Sequence, residues 1–346
     1  MQDKELEQQF VMAVGILEQL QNRVISLEQE NQVLVVSNRE LINWVKMVEE
    51  DLYMLQNNMQ YEVWDKRDAI ELWYPTIESE EKTLELIINQ KKSLSRFGDG
   101  EFAAIQGKVR HKFQTEQDEA LGKRLLEVLQ SEKEELLVGI ADNYGSLQRY
   151  QVNIQREIRH YMTPEVRMFH KSILRKDKVY YNAYISRPYV IYKDNHTKAP
   201  AKRFEKLKQI WSGRDCVIVE GEQTRMGVGN DLLAGARSVV RILAPAENAF
   251  RKYKDILEEC RKMPKHSLFL IALGPTASVL AYDLCMEGYW ALDIGHLDLE
   301  YEWFLRGEGR RTAVCGKYNN EYDGGEKVQL LADPRYEQEI VAKILN

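Results

Sequence analysis

The stretch RFGDGE places two carboxylates, Asp99 and Glu101, on either side of one glycine. Alternate residues of an extended backbone point to the same side, so this pair is expected to present two hard oxygen ligands to one Mg²⁺ or Mn²⁺. Such an ion completes its shell with water and substrate phosphates. Gly98 lets the backbone approach a ligand closely, and the planar guanidinium of Arg96 suits a phosphate. A solvated turn that caps a helix is the alternative.

A second glycine-containing loop, EGEQTRMGVGND, follows the apolar run CVIVEG. Free backbone amides at the start of a helix bind phosphate, and the next helix is expected to begin near the end of this loop. The candidate ligand-binding residues here are Glu222, Arg225, Gly227, Asn230 and Asp231. The spacing matches neither GxxxxGK[ST] nor GxGxxG, and a plain tight connection is the alternative.

Two further loops carry groups suited to chemistry. In LGPT, the backbone amides near Gly274 are placed to receive a diphosphate or ribose, and Thr276 is a candidate helix cap; an ordinary strand-to-helix turn fits equally well. In DIGHLDLEYE, His296 follows a strand-like run and precedes the acids Asp298 and Glu300. His296 is a candidate third metal ligand, general base or structural hydrogen-bonding residue, and these three residues are the candidate catalytic groups.

The elements that must position these loops alternate along the chain from residue 75 onward. Short apolar runs rich in β-branched residues are separated by helix-like stretches, which predicts an α/β fold with a mostly parallel sheet. The runs are 136–141, 178–185, 216–221, 238–245, 267–275 and 290–295. Because ligands of such sheets bind outside the carboxyl ends of the strands, the loops that follow the strands are expected to form the site.

A heptad seam of apolar residues fills the N-terminal segment. With Leu17 at position a, leucine or valine occupies most of the a and d positions up to Leu55, which predicts a coiled coil. Asn31 and Asn38 fall at position a, where a buried amide is best satisfied by its symmetry mate. The pattern predicts a parallel homodimer through residues 10–55, with a solitary amphipathic helix and antiparallel pairing as alternatives.

Composition narrows the class of protein. The 346 residues carry 48 Lys and Arg against 54 Asp and Glu, a net charge of −6, so no whole-chain basic surface exists for nucleic acid. No secretion signal and no apolar run of about 18 residues is present, so we expect a cytoplasmic protein without a membrane span. The predicted organisation is a coiled-coil helix over 1–58, a connector over 59–74 and one α/β domain over 75–346.

Four motifs in this order carry a family resemblance: RFGDGE, VEGEQTRMGVGNDL, ALGPTASVLAYDL and ALDIGHLDLEYEW. Together they resemble the GT-D type of bacterial glycosyltransferase, a former domain of unknown function found among enzymes that glycosylate serine-rich-repeat adhesins. The resemblance covers about residues 75–335 and not the coiled coil. It implies a Rossmann-like domain that binds a UDP-sugar through a divalent metal, Mn²⁺ or Mg²⁺, held by a D-x-E motif at Asp99 and Glu101.

The function implied is a metal-dependent glycosyltransferase that moves a hexose, glucose or galactose, from a UDP-sugar to a glycan or glycoprotein acceptor. A metal on the leaving diphosphate acts as a Lewis acid, with Arg96 and Arg225 as phosphate partners. Two alternatives stay open: a metal-dependent nucleotidyltransferase or phosphohydrolase, and a non-catalytic coiled-coil partner of another glycosyltransferase.

Overall fold

The computed structural model describes residues 2–110, 113–322, 324–325, 328 and 333–345; for residues 2–9 it describes the backbone only. The predicted segments 1–58 and 75–346 therefore include positions outside the described residues. The helices of the described part are α1 Gln2–Glu71, α2 Glu80–Gln90, α3 Asp99–Ile105, α4 Glu119–Gln130, α5 Val152–Tyr161, α6 Pro164–Ile173, α7 Ala199–Lys208, α8 Tyr253–Arg261, α9 Pro275–Met286, α10 Leu297–Arg306 and α11 Pro334–Glu339.

The strands of the described part form one sheet. They are β1 Thr76–Ile77, β2 Ser93–Phe97, β3 Leu136–Ile140, β4 Val179–Asn182, β5 Asp215–Gly221, β6 Ser238–Ala244, β7 Leu268–Ala272, β8 Trp290–Asp293 and β9 Ile340–Lys343. The strand order is β1-β4-β3-β2-β8-β7-β5-β6-β9. Every recorded strand pair is parallel, from β1 with β4 to β6 with β9. The predicted α/β class with a mostly parallel sheet is confirmed.

The six apolar runs of the sequence all contain strands, but three strands escaped the prediction. β1 and β9 have only two and four residues, and β2 reads SLSRF, in which serine and arginine occupy three of the five positions. Ser93 and Ser95 are nevertheless buried, because their hydroxyls lie near the backbone carbonyls of Tyr289 and Ser278. β2 is therefore a central strand whose polar residues are satisfied by its neighbours.

Side chains on the two faces of the sheet belong to separate hydrophobic cores. Val217 and Ile218, consecutive on β5, pack into different clusters, as do Leu137 and Val138 on β3. This alternation is expected of a sheet covered by helices on both faces, where successive side chains point in opposite directions. Helices cover both faces of the sheet, so a ligand can reach the sheet only at the ends of its strands.

The chain divides into two compact units, Met1–Gln60 and Tyr61–Asn346. α1 runs through the predicted connector 59–74 as far as Glu71, and its last turns belong to the second unit. In the first unit the heptad side chains are exposed, for example Leu17 at 65% and Leu34 at 60%. The parallel pairing of residues 10–55 stays a prediction.

Within the described residues, no helix is long and apolar enough to cross a membrane.

Candidate active site

A cavity of about 500 Å³ opens where the parallel strands end. Its walls come from the loops that follow β2, β3, β4, β7 and β8, from Thr224 after β5, from one face of α5 and from the segment 311–321 after α10. The volume lies within the roughly 300–1,000 Å³ typical of small-molecule sites. Of the sequence-predicted residues, the cavity is lined by Arg96, Gly98, Asp99, Glu101, Gly274, His296 and Asp298.

The Asp-Gly-Glu step begins α3 and does not form an extended strand. Gly98 is the N-cap, Asp99 is the first helical residue and Glu101 the third. The expectation that alternation of an extended backbone aligns the two carboxylates is wrong, because residues two apart on a helix diverge by about 200°. Both side chains still line the cavity, since α3 starts at its edge.

The two carboxylates occupy different environments. Glu101 turns back to accept a hydrogen bond from the N–H of Gly98 at 2.8 Å. Burial, and next the nearby charge of Asp293, raise the pKa of Glu101. Asp99 is more exposed and pairs with Arg110, whose Nε lies 2.6 Å from Asp99 Oδ2. A positive charge between these carboxylates would relieve the unfavourable burial of Glu101.

Three hydrogen bonds fix the side chain of Arg96 in the cavity wall. Its Nη2 lies 2.6 Å from Asp293 Oδ1, its Nε donates to the backbone oxygen of Asp293 at 2.8 Å and its Nη1 donates to Ser186 at 2.7 Å. Gly295 is required beside it, because a Cβ there would lie 2.1 Å from Arg96 Nη2. The guanidinium is thus fixed in position by the end of β8 and does not form the free fork that the sequence suggested.

His296 lies on the cavity wall with both ring nitrogens in polar contacts. Arg187 Nη2 lies 3.4 Å from Nδ1, and Nε2 lies 2.9 Å from Asn320 Oδ1. Because a guanidinium only donates, Nδ1 is the acceptor and Nε2 carries the proton. Burial, which outweighs the opposing charge of Glu321, lowers the pKa of His296 to about 4. The ring is therefore neutral near pH 7, and neither nitrogen is left open for a substrate proton.

The acids that follow His296 serve the packing of α10. Asp298 lines the cavity, but its oxygens accept from Lys317 Nζ at 2.6 Å and from Gly227 N and Asn230 Nδ2, each at 2.9 Å. Glu300 is fully buried away from the cavity. The oxygens of Asp298 are thus occupied by protein donors, and Glu300 does not line the cavity, so the geometry offers no support for either as the base that deprotonates an acceptor hydroxyl; that role stays a prediction.

Glu300 instead holds the segment that carries Arg187. Its Oε2 accepts from the N–H groups of Tyr189 and Val190 at 3.0 and 2.9 Å. Burial raises the pKa of Glu300 to about 7 against the opposing charge of Arg187. A carboxylate that binds two successive amides fixes the backbone just beyond Arg187, and so helps aim that guanidinium into the cavity.

The loop after β5 departs from the prediction. Residues 222–237, all of them described, form turns and no helix, so the expected helix N-terminus near Asn230 and Asp231 is wrong. Arg225, Gly227 and Gly229 have φ of 50°, 73° and 77°, and residues with positive φ interrupt a right-handed helix.

The candidate residues of that loop lie outside the main cavity. Glu222 is exposed, and Arg225 donates to the backbone oxygen of Gly316 at 2.7 Å. Asp231 accepts from Tyr301 at 2.6 Å, while Gly227 and Asn230 bind Asp298 and line a second cavity of about 250 Å³. Gly227, Asn230 and Asp231 thus contact α10, and none of the five candidate residues lines the main cavity, so their contact with its ligand stays a prediction.

The strand–turn–helix prediction for LGPT holds, with one correction. β7 ends at Ala272, and α9 begins at Pro275 after Gly274. Gly274 lines the cavity with φ of 52°, and a Cβ there would lie 2.8 Å from Phe113 Cβ. Thr276 is buried inside the first turn of α9 and is not its cap. The predicted contact of Thr276 with a ligand has no support in this placement.

Comparison with known proteins agrees with this architecture. The family model for the glycosyltransferase GT-D fold matches residues 94–322, a span that contains every candidate residue of the site. The chain belongs to the GT-D glycosyltransferase family. The predicted family is thereby confirmed, and the match leaves α1 outside the GT-D span.

Two curated relatives share the GT-D sequence. Probable glycosyl transferase Gly of Streptococcus gordonii is 37% identical over 271 residues, which is 76% of this chain and 38% of that protein. Glycosyltransferase GlyD of Streptococcus pneumoniae serotype 4 is 37% identical over 273 residues, 77% of this chain and 32% of that protein. The chain thus spans about a third of these relatives' length.

Two solved structures share the GT-D fold. One is described as a new glycosyltransferase (DUF1792) from Streptococcus sanguinis; it has a TM-score of 0.74 and 38% identity, and the alignment covers 78% of this chain and all of that one. The other is described as the highly conserved domain of unknown function 1792 with a distinct glycosyltransferase fold, at a TM-score of 0.72 and 35% identity, covering 78% of this chain and 96% of that one.

Several cavity residues of the GT-D domain were not singled out from the sequence. Arg187 pairs with Glu321, and Arg311 Nε lies 2.9 Å from the same carboxylate. Arg110 pairs with Asp99, and Asp293 pairs with Arg96. Asp293 ends a strand-like run, but Arg110, Arg187, Arg311 and Glu321 lie in none of the four motifs. A local pattern could not have revealed them.

Carboxylates outnumber guanidiniums around the cavity of the GT-D domain. Among the described residues, four guanidiniums line it, those of Arg96, Arg110, Arg187 and Arg311. Six carboxylates line it, those of Asp99, Glu101, Glu157, Asp293, Asp298 and Glu321. Lys317 Nζ, 2.6 Å from Asp298 Oδ2, neutralises one of these carboxylates, so the acidic excess is small. A cation bound to the remaining carboxylates would favour a diphosphate in the cavity.

The donor chemistry fits a hard divalent cation. Among the described residues no group of three or more His, Cys, Asp or Glu side chains is arranged to hold a metal ion. Asp99 and Glu101 nevertheless offer carboxylate oxygens to the same cavity, and a Mg²⁺-like ion is commonly held by one or two carboxylates plus substrate phosphates and water.

Proposed function

We propose that this GT-D chain transfers a hexose, glucose or galactose, from a UDP-sugar to a glycan or glycoprotein acceptor, with Mn²⁺ or Mg²⁺ as cofactor. The observation that carries the proposal is the placement of Asp99 and Glu101 at a cavity of about 500 Å³ whose carboxylates outnumber its guanidiniums. A site of that charge accepts a nucleoside diphosphate together with a divalent cation. The names of the relatives, both glycosyltransferases, support sugar transfer and leave the donor open.

Asp99 and Glu101 are the proposed metal-binding residues. When bound there, a divalent cation supplies Lewis-acid stabilisation of the charge that develops on a leaving diphosphate. Arg110, the partner of Asp99, is the proposed phosphate-binding guanidinium, because Arg96 is held by three hydrogen bonds and Arg187 by Glu321 and His296.

His296 is assigned a hydrogen-bonding role in this proposal. It lines the cavity and is neutral, and its ring bridges Arg187 and Asn320. A neutral imidazole in such a bridge orients its neighbours and bound hydroxyl groups. Proton transfer from the acceptor is not assigned to it, because Nδ1 accepts from Arg187 and Nε2 carries the proton.

The first test is the release of UDP from UDP-glucose, UDP-galactose and UDP-GlcNAc, measured with Mn²⁺ and with EDTA. We expect metal-dependent turnover of one hexose donor, lost in Asp99→Ala. Without an acceptor, the enzyme should slowly hydrolyse the donor to free sugar and UDP, and with the acceptor the sugar should appear on the acceptor. Hydrolysis of UDP itself, with release of phosphate, would instead indicate a phosphohydrolase. A chain that neither binds UDP nor turns over any donor would contradict the proposal and favour a non-catalytic partner.

We also infer that residues 10–55 pair with a second copy of the chain in parallel. The apolar a and d side chains are exposed along the helix, and Asn31 and Asn38 occupy a positions. In parallel register, Arg23 at position g faces Glu28 at position e of the second copy, which adds an attractive pair. The symmetric asparagines favour an in-register homodimer over other partners.

A further inference from the structure

The last turns of α1 hold the loop that follows β3. Tyr61 is 1% exposed, and its Oη lies 2.8 Å from the backbone oxygen of Asn143 and 3.1 Å from that of Gly145. Its single proton is shared between the two carbonyls. Asp65 Oδ1 accepts from the N–H of Gly145 at 3.1 Å. The loop is thus bound by a donor and an acceptor from the same helix.

This loop is part of the cavity wall. Asn143 lines the cavity, and its side-chain Oδ1 accepts from the hydroxyl of Tyr184 at 2.6 Å. Tyr184 also lines the cavity, from the turn that follows β4. A shift in the backbone of Asn143 therefore moves a wall residue and releases a second one.

Buried ion pairs hold the last turns of α1, and with them Tyr61, in place. Arg167 is fully buried and donates to Asp65 at 3.1 Å and to Asp68 at 2.7 Å, while Lys171 also pairs with Asp68. The guanidinium of Arg167 lies over the ring of Tyr61, 4.6 Å from its centroid. Charged hydrogen bonds of this kind are strong when buried, so Tyr61 cannot swing away from the loop without breaking the packing around Arg167.

We propose that Tyr61 is a positioning residue of the catalytic cavity, acting through the backbone of Asn143. The inference rests on the proposed function of that cavity. Tyr61 lies outside the span matched by the family model, residues 94–322, so the site depends on a part of the chain beyond that span. The last turns of α1 then belong to the catalytic unit as well as to the N-terminal helix.

The test compares Tyr61→Phe with Tyr289→Phe in the full-length chain. Tyr289 is a matched control: it is 4% exposed, its hydroxyl lies 3.0 and 3.3 Å from the backbone oxygens of Arg261 and Met263, and it does not line the cavity. Both variants lose one hydroxyl shared by two carbonyls. Amide hydrogen exchange of residues 141–147 and kcat and KM for UDP release are measured alongside thermal stability.

We expect Tyr61→Phe to raise exchange at 141–147 and to lower kcat by about tenfold, since small misplacements of a site reduce rates steeply. Tyr289→Phe should lose similar thermal stability while kcat stays within about twofold and the exchange of 141–147 is unchanged. Equal kcat and equal exchange in the two variants would overturn the inference. If the wild type turns over no UDP-sugar, the proposed function fails, and unchanged exchange at 141–147 still overturns the positioning role by itself.

Discussion

Glu101→Gln separates the two roles that the structure gives to Glu101. The side chain accepts the N–H of Gly98 at 2.8 Å, which caps α3, and it is a proposed metal ligand. Glutamine keeps an oxygen for the Gly98 amide and removes the negative charge. The cap should therefore survive, whereas Glu101→Ala would lose it as well, at about 0.5–2 kcal/mol.

Without metal, the variant should be at least as stable as the wild type at pH 7.5. Burial and the charge of Asp293 raise the pKa of Glu101, so its protonated form is favoured in the folded chain. The stability linked to this group is complete below the unfolded pKa of about 4.3 and is lost as pH rises through the higher folded value. Glutamine has no such pH-linked loss, so the stability of the wild type should fall relative to that of the variant as pH rises.

Saturating metal should reverse the comparison. A cation at about 100 times its Kd stabilises the wild type by about 2.7 kcal/mol, or roughly 5–10 °C in Tm for a domain of this size. The shift should be mostly absent in Glu101→Gln. Because Lewis-acid stabilisation is worth several kcal/mol, kcat for UDP release should fall on the order of a hundredfold or more.

Differential scanning fluorimetry with and without Mn²⁺ and a UDP-release assay measure both effects. Glu80→Gln is the control, because burial raises the pKa of Glu80 to about 7 and this residue lies outside the cavity. Glu80→Gln should keep the full metal-induced shift. A Glu101→Gln variant with wild-type metal response and turnover would refute the assignment of Glu101 as a ligand.

Three other perturbations test the remaining features. Asp293→Asn leaves the half-buried guanidinium of Arg96 without its carboxylate, 2.6 Å away, and should cost about 1–2 kcal/mol in urea unfolding; an unchanged midpoint would contradict that pairing. In the wild type, the free energy of unfolding should fall by up to about 3 kcal/mol between pH 6.5 and about 4, because the buried neutral ring of His296 opposes protonation. In His296→Gln this fall should be smaller, and an equal fall in both proteins would refute the reasoning. Removal of residues 1–58 should give a monomer in sedimentation, and a dimer would exclude pairing through the helix.

Much of the fold was predictable because it is encoded locally. β7 and the CVIV segment of β5 are continuous apolar runs, as expected of strands covered on both faces, and Gly274 and Pro275 mark the start of α9. β2 was missed because its serines are satisfied by carbonyls of residues nearly 200 positions away in the chain, a fact that no local window contains.

The site was predictable only where a strand end and a motif coincide. Asp99, Glu101 and His296 all line the cavity, but their surroundings follow from chain topology. The helix expected near Asn230 failed because positive φ at Arg225 and at the glycines of that loop favours turns. Residue type indicated which side chains could take part in chemistry, and tertiary packing decided which of them face the cavity.

The counter-ions of the cavity illustrate why motifs alone give an incomplete description. Arg96 and Asp293 lie 197 positions apart, and Arg187 and Glu321 are separated by 134, yet each pair forms one contact at the carboxyl ends of the strands. A parallel sheet gathers its strand ends on one edge whatever their order in the chain. The Asp-Gly-Glu pair can therefore be recognised within a six-residue motif. The electrostatic environment of its carboxylates depends instead on residues from the whole sheet. A relative that keeps the Asp-Gly-Glu step but lacks these guanidiniums would have a cavity of different charge, and its metal and donor affinity would have to differ accordingly.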